Sequence, residues 1–126
     1  MISFKLKLKI ISYYKKLFSV KVDYNLTVDD SILTMDKATP FVLLLNELIN
    51  NSNKHAFNNT RTPEIHIIFK KKNGGSLFEY SDNGNFKNEK NRKGSLGMRI
   101  VDMMNIQLKG KMTIEEFNGF KLTLRF

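Results

Sequence analysis

The sequence predicts an α+β fold, a two-layer α/β sandwich in which helices cover one face of a mixed, mostly antiparallel sheet. Long segments carry apolar residues at helical spacing, and short apolar segments come in pairs that flank tight-turn sequences. The element order is helix, two short strands, long helix, hairpin, loop, helix and hairpin. The 126 residues suit one domain with its own core. We therefore expect one domain over 1–126, with an N-terminal helical segment at 1–18 and a core at about 20–126.

The first third of the chain gives mixed signals. Apolar residues and lysine alternate over residues 3–10, which is typical of a strand, whereas the apolar spacing from Ile10 to Leu17 is helical. We interpret much of 5–18 as one helix. Two short strands are predicted next, at 20–26 and 31–35.

The longest helix is predicted from Asp36 to about Ala56. Asp36 is a suitable N-cap, and Pro40 is tolerated in a first turn. Its apolar residues share one broad face that is expected to pack on the sheet: Phe41, Leu44, Leu45, Leu48, Ile49, Ser52 and Ala56.

The second half predicts two hairpins separated by a helix. Strands at 64–71 and 76–82 flank the turn sequence Asn-Gly-Gly. A polar loop is expected at 83–95. A helix at 96–108 follows it and stops at Gly110. The last two predicted strands, at 111–116 and 120–126, are joined by a turn at Asn118 and Gly119.

Composition narrows the classes of function. The absence of cysteine excludes disulfides, thiolate zinc sites and cysteine nucleophiles. No apolar run approaches the ~20 residues that span a bilayer, so we expect no membrane span and a cytoplasmic location. The net charge of +9 favours an anionic ligand. Because no nucleic-acid recognition motif accompanies it, we expect a lysine-rich solvated surface and no nucleic-acid partner.

The long helix carries polar residues along one flank of its apolar face. These are Glu47, Asn51, Lys54 and His55. Amide and carboxylate oxygens suit Mg²⁺, and lysine suits phosphate. A solvated polar face explains the same pattern, so the helix alone leaves both interpretations open. Three other asparagines, Asn46, Asn50 and Asn53, fall toward solvent.

Two later segments contain glycine beside polar residues. Asp82 stands at a strand end, where its carboxylate can accept a hydrogen bond from an exocyclic amine, and Gly84 would let backbone approach a base closely. Gly94 and Gly97 lie just before and at the start of a helix, where free N–H groups suit phosphate. An ordinary Asp-Asn-Gly turn and ordinary helix-start glycines remain open alternatives.

Four segments in this order resemble those of a known family. "NELINNSNKHAF" looks like an N box, "SDNGNF" and "KGSLGMRIVDMMNIQLKGKM" look like two glycine boxes, and "NGFKLTLRF" resembles a closing strand. The combination resembles the ATP-binding catalytic domain of sensor histidine kinases, in the GHKL ATPase superfamily. The run "LTMDKATPFVLLLNELINNSNKHAF" is similar to the HWE/HisKA-2 type. The resemblance implies a Bergerat-type ATP-binding fold and a protein histidine kinase of a two-component system.

The resemblance also implies cofactors and partners. It implies Mg²⁺ and ATP, whose γ-phosphoryl group goes to a histidine on a separate dimerisation domain missing from this chain, and a downstream response regulator. The roles that it implies are Mg²⁺ ligation by Asn51, catalysis by Glu47 and Asn51, and ATP contacts by Asn51, Lys54, His55, Asp82, Gly84, Gly94 and Gly97.

The sequence departs from the family pattern at two positions. Phe86 stands where a second glycine is usual, and Phe120 stands where a threonine is usual. Neither His55 nor His66 resembles a phosphoacceptor on a dimerisation helix. Two alternatives therefore stay open: a serine/threonine kinase of the anti-sigma-factor type, and a degenerate nucleotide-binding module without catalysis.

Overall fold

The computed structural model describes residues 2–3, 21–29, 32–57, 60–84, 95–116 and 119–126. The predicted helix over 5–18 lies outside these ranges. The helices are α1 (Met35–Asn51), which a π-helical turn (Ser52–Ala56) continues, and α2 (Leu96–Leu108). The strands are β1 (Ile2–Ser3), β2 (Asp23–Val28), β3 (Ile32–Leu33), β4 (Glu64–Lys72), β5 (Gly75–Asp82), β6 (Lys111–Glu115) and β7 (Phe120–Arg125).

Five of these strands form one mixed sheet in the order β2-β4-β5-β7-β6. β2 and β4 are parallel and are connected through α1, and the other three pairings are antiparallel. β1 and β3 form a separate antiparallel pair. The predicted fold class is confirmed, since the sheet is mostly antiparallel and two helices pack beside each other in the described part of the chain.

The core lies between the helices and one face of the sheet. Phe41 of α1 is fully buried, and its ring lies 5.1 Å from that of Phe69 and 4.9 Å from that of Phe78. Alternate residues of the central strands complete this face because successive side chains of a strand point to opposite sides. The buried residues of these strands are Ile65, Ile67, Phe69, Phe78, Tyr80, Asp82, Phe120, Leu122 and Leu124.

The opposite face of the sheet is polar and carries charges of both signs. The register places Arg125 of β7 directly opposite Lys111 of β6, and both side chains are exposed. Lys70 of β4 lies in the same cross-strand row, opposite Leu77 of β5. One end of this open face therefore carries three cations in one row.

Helix α1 begins one residue before the predicted N-cap. Thr34 is the N-cap, and its carbonyl accepts from the amides of Lys37 and Ala38. Asp36 lies within the first turn, where its charge favours the helix N-terminus. A hydrogen bond from the Thr34 side chain lowers the pKa of the Asp36 carboxyl. The predicted continuity to Ala56 is confirmed, although the last five residues form a wider π-helical turn.

Helix α2 matches its predicted bounds but ends differently. Lys109, not glycine, takes the left-handed conformation after the last turn, with φ 54°. The amides of Lys109 and Gly110 donate to the carbonyls of Ile106 and Asn105, which is the Schellman arrangement. Gly110 serves a close approach instead, because a Cβ there would lie 2.6 Å from the Leu124 Cδ1 atom.

The strand predictions differ from the structure mainly at their ends. The strand predicted at 20–26 is Asp23–Val28, and the one predicted at 31–35 shortens to Ile32–Leu33. The first hairpin turn is confirmed, with Asn73 and Gly74 at positive φ. Among the described residues, no helix is long and apolar enough to cross a membrane.

Candidate functional site

Asn51 ends helix α1 with a buried amide. The residue is 8% exposed, and its Nδ2 atom has no hydrogen-bond partner among the described residues. Burying an amide group without a partner costs roughly 1–3 kcal/mol. A ligand that engages this amide would remove that cost. The described residues of the fold therefore offer no hydrogen bond that would compensate for the burial of the Asn51 amide nitrogen.

Glu47 and Asn51 lie together against the start of helix α2. A Cβ built on Gly97 would lie 3.0 Å from Asn51 Nδ2, 3.1 Å from Asn51 Oδ1 and 3.1 Å from Glu47 Oε2. The four-residue spacing predicted that Glu47 and Asn51 share one helix flank. The structure brings both to a single point on α2, and glycine at position 97 leaves room for them.

The N-terminus of α2 begins at this point. Ser95 is the N-cap, and its hydroxyl oxygen accepts from the Met98 amide, while its carbonyl accepts from the Arg99 amide. The amides of Leu96 and Gly97 precede the first intrahelical hydrogen bonds. These two donors and the helix dipole favour an anion beside Asn51 and Glu47.

Asp82 ends strand β5 with a buried carboxylate, 5% exposed. Its Oδ2 accepts a hydrogen bond from the Ser52 hydroxyl at 2.6 Å, and its Oδ1 accepts from the Gly84 amide at 3.0 Å. Both oxygens therefore act as acceptors toward the protein. A carboxylate can accept about four hydrogen bonds, so these donors do not by themselves exclude a donor from a ligand.

Two glycines allow the backbone to close around Asp82. A Cβ at Gly84 would overlap the Ala56 Cβ, so the strand end packs directly on the π-helical turn. Gly119 has φ 125°, and a Cβ there would lie 2.5 Å from the Asp82 carbonyl oxygen. The sequence predicted that Gly84 serves approach to a base, whereas its close neighbour in the described structure is Ala56.

The π-helical turn changes the register at the end of the flank. Lys54 lies on this turn with an exposed side chain, and the turn also contains His55. A π-helix hydrogen-bonds from i to i+5, so the α-helical alignment of His55 with Asn51 does not extend past Asn51. The side chain of His55, Gly94 and Phe86 all lie outside the described part of the chain, and their roles stay predictions.

Ser52 contacts the candidate site residue Asp82 and also Tyr80, although no site role was predicted for Ser52 or Tyr80 from the sequence. Ser52 was expected on the packing face of α1, and it is fully buried as predicted. Its hydroxyl contacts both Asp82 and the Tyr80 hydroxyl at 2.6 Å. A serine on an otherwise apolar helix face is the signal that could have indicated a buried polar partner.

Asn53 also differs from its expected solvent position. It is partly buried, and its amide nitrogen donates to the Tyr24 hydroxyl at 3.3 Å and to the Ile49 carbonyl at 3.0 Å. Asn46 and Asn50 are partly buried rather than fully exposed.

The residues present fit a magnesium ion that also binds phosphate. The described residues contain no group of three or more His, Cys, Asp or Glu side chains that could hold a metal. A fully protein-ligated metal is therefore not expected there, but Mg²⁺ usually keeps waters and uses few protein ligands. The Asn51 amide and the Glu47 carboxylate supply oxygen donors of the right kind beside the anion-favouring start of α2.

Comparisons with known proteins agree on the fold. No protein-family model matches the chain, and no curated protein matches it by sequence. A histidine kinase domain from the Erythrobacter litoralis EL346 blue-light activated histidine kinase aligns with a TM-score of 0.81 and 17% identity. The Acinetobacter baumannii histidine kinase AdeS aligns with a TM-score of 0.78 and 16% identity. The nucleotide-free catalytic domain of histidine kinase ThkA aligns with a TM-score of 0.74 and 15% identity. This chain therefore has the fold of histidine kinase catalytic domains.

The alignments differ in how much of each protein they include. They cover 95% of this chain and 58% of the Erythrobacter domain, and 99% of this chain and 64% of AdeS. For the ThkA catalytic domain the two shares are 99% and 93%. The chain thus corresponds in extent to a catalytic domain and spans under two thirds of the longer kinase structures.

Proposed function

We propose that this chain is the Mg-ATP-binding catalytic domain of a sensor histidine kinase in a two-component system. In this proposal it donates the γ-phosphoryl group of ATP to a histidine on a separate dimerisation domain, from which a response regulator receives it. The fold shared with histidine kinase catalytic domains supports the proposal. The four sequence segments that resemble the N box, the glycine boxes and the closing strand support it independently.

One observation carries the proposal: the Asn51 amide, whose Nδ2 atom has no hydrogen-bond partner among the described residues, lies against Gly97 at the start of α2, beside the Glu47 carboxylate. A site for Mg-ATP needs oxygen donors for the metal and backbone donors for phosphate within reach of each other. The Asn51 and Glu47 side chains lie beside the first turn of α2, whose initial amides precede the intrahelical hydrogen bonds, and this supports the proposal. Asn51 is the proposed metal ligand, because a half-turn about its last side-chain bond exchanges the amide nitrogen for the oxygen.

Each residue has a proposed task in phosphoryl transfer, which depends mainly on positioning and charge neutralisation. Asn51 binds the metal, and Glu47 orients the phosphate end or a water molecule beside it. The exposed Lys54, with His55 on the same turn, contributes charge toward phosphate. The residues proposed to bind the nucleotide are Asp82, Gly84, Gly94 and Gly97. Held by Asn51, a bound Mg²⁺ would supply positive charge that neutralises the phosphate groups.

His66 has surroundings that suit a surface role. It is exposed on β4, and its Nε2 atom lies 3.2 Å from a Glu64 carboxylate oxygen. Because it lies on a sheet strand, it lacks the helical setting expected of a phosphoacceptor. The proposal therefore assigns the acceptor histidine to the dimerisation domain.

The decisive experiment is a calorimetric titration of the chain with Mg-ATP. We expect Asn51→Ala to weaken binding by roughly tenfold or more, since losing a polar contact to a charged ligand costs about 1.5–3 kcal/mol. Asn50→Ala is the matched control, because it makes the same change one residue earlier on α1 and should leave affinity unchanged. Equal affinity for wild type and Asn51→Ala, with both folded by circular dichroism, would refute the site.

The chemistry of transfer is tested with a histidine-containing dimerisation domain and labelled ATP. Acid-labile phosphate on that domain supports the histidine kinase. Acid-stable phosphate on a partner protein would identify the anti-sigma-factor type of serine/threonine kinase instead. Failure of the wild-type chain to bind Mg-ATP at all would identify a degenerate module without catalysis.

A further inference from the structure

A chain of buried hydroxyl groups runs from the core of the sheet to the Asp82 carboxylate. The Tyr80 hydroxyl lies 3.1 Å from the Leu48 carbonyl and 2.6 Å from the Ser52 hydroxyl, and Ser52 lies 2.6 Å from Asp82 Oδ2. Ser52 and Tyr80 are fully buried, and Asp82 is 5% exposed. These three polar side chains meet where α1 gives way to the π-helical turn.

The direction of the protons in this chain follows from counting them. The Ser52 hydroxyl has one proton, which it donates to Asp82. The short contact between Ser52 and Tyr80 must then use the single proton of Tyr80. Tyr80 shares that proton with the Leu48 carbonyl, which can only accept. The Ser52 hydroxyl therefore points toward Asp82, whereas the Tyr80 hydroxyl donates to the Leu48 carbonyl and has only the same proton to share with Ser52.

These hydrogen bonds hold the Asp82 carboxylate as a hydrogen-bond acceptor. The Gly84 amide donates to Oδ1 while Ser52 donates to Oδ2, so the carboxylate plane is held from both ends. A carboxylate held as an acceptor favours a ligand group that donates a hydrogen bond, such as the amine of an aminopurine. It disfavours a carbonyl at the same place, because two acceptors would then face each other in a buried setting.

We propose that Ser52 is a positioning residue that orients Asp82 for a 6-aminopurine nucleotide, and that Tyr80 acts through Ser52. The part of this inference that concerns the preference for a 6-aminopurine nucleotide rests on the proposed function. The Tyr80 hydroxyl does not need Ser52 as a hydrogen-bond partner, because it donates to the Leu48 carbonyl. The contact with Ser52 therefore serves Asp82, where donors to a carboxylate strengthen one another along the chain.

The first test compares nucleotides that differ in one amine. ATP and purine riboside triphosphate, which lacks the 6-amino group, are titrated into wild type, Ser52→Ala, Tyr80→Phe and the double variant. We expect Ser52→Ala to weaken ATP binding roughly tenfold and to leave the analogue unchanged. The double variant should match Ser52→Ala, because Tyr80 acts only through that serine. Tyr80→Phe alone should lower the preference for ATP by a smaller factor.

A merely structural role for Ser52 gives a different result. With a merely structural role, Ser52→Ala would weaken the binding of ATP and of the analogue equally, or would leave the ratio of the two affinities at its wild-type value. Either outcome overturns the inference. If Ser52→Ala does not fold, Tyr80→Phe is used in its place. An unchanged ratio of the affinities for ATP and the analogue in that variant would also overturn the inference.

A second measurement needs no nucleotide. The side-chain carboxyl ¹³C shift of Asp82 and the exchange rate of the Gly84 amide both report how the carboxylate is held. Ser52→Ala should change both in the free protein, and the control variant Asn50→Ala should change neither. An Asp82 signal that is identical in wild type and Ser52→Ala would refute the positioning role, whereas absent ATP binding in wild type would refute the proposed function.

Discussion

Gly97 and Asn51 lie so close that a Cβ on the glycine would be 3.0 Å from the amide nitrogen of the asparagine. The two residues come from different helices, and their contact joins the end of α1 to the start of α2. Glu47 lies at the same point, 3.1 Å from that Cβ position. The space that the glycine leaves is therefore a property of the candidate site rather than of α2 alone.

Gly97→Ala should separate folding from binding. Alanine is favoured over glycine within a helix by about 1 kcal/mol, so the thermal midpoint should hold or rise. The added methyl group displaces Asn51 and Glu47, and Mg-ATP affinity should fall by roughly tenfold. Thermal denaturation and calorimetry on the same sample check this, and unchanged affinity would contradict the proposed position of the phosphate end.

Asn51→Leu should stabilise the chain while removing its ligand. The substitution replaces a buried amide, whose nitrogen lacks a partner among the described residues, with an apolar group of similar size. Removing an unsatisfied buried polar group gains about 1 kcal/mol or more. Urea denaturation should show a higher free energy of unfolding with no detectable Mg-ATP binding. A loss of stability would show that the amide has a structural partner.

Gly84→Ala should destabilise the fold strongly. The new Cβ would lie 2.5 Å from the Ala56 carbonyl oxygen, which belongs to the backbone and cannot turn away. Overpacking of this kind costs about 1–3 kcal/mol. Gly74→Ala is the matched control, since nothing lies within 4 Å of its Cβ position and only its φ of 79° is unfavourable. Urea denaturation should show the larger loss at position 84.

Lys109→Gly should raise stability slightly. Lys109 has φ 54°, a left-handed conformation that costs an L-residue about 1–2 kcal/mol. Glycine removes this strain but adds freedom to the unfolded chain, so a net gain of about 0.5 kcal/mol is expected. Gly110→Ala should act in the opposite direction, because its Cβ would contact Asn105 and Leu124. Equal midpoints for the two variants would contradict this account of the helix end.

Alkaline pH should weaken the fold through Tyr24. Burial raises the pKa of the Tyr24 hydroxyl above 10.0, and its hydrogen bond with Asn53 opposes this in part. A raised pKa means that the folded state favours the neutral phenol, so its contribution is complete below about pH 10 and is lost as pH rises through the folded pKa. Tyr24→Phe should flatten the fall in stability above about pH 10. A fall of the same steepness in both proteins would exclude Tyr24 as its source.

The fold class and the two hairpin pairings, β4 with β5 and β6 with β7, were predictable because the apolar alternation of these strands is regular. The Asn-Gly turn after β4 and the bounds of α2 were also predictable from local chemistry. The parallel pairing of β2 with β4 was not, since a short strand does not determine the direction of its neighbour. The position of α1 over the sheet followed from its apolar face.

The site was predictable only in part. The spacing of Glu47 and Asn51 placed them on one flank, but their meeting with Gly97 depends on how α1 and α2 pack. The π-helical turn cannot be read from residue spacing, because the pattern of Ser52 to Ala56 also suits an α-helix. The hydroxyl chain to Asp82 was missed because it joins residues 28 and 30 positions apart.

The row of cations on the open face of the sheet makes this protein sensitive to ionic strength. Arg125 and Lys111 lie directly opposite each other on β7 and β6, at a separation where like charges repel. Folding brings them together, and the net charge of +9 adds a general repulsion. Counterions screen exposed charges over about 10 Å at roughly 0.1 M salt. We therefore expect moderate salt to stabilise the folded chain relative to dilute buffer.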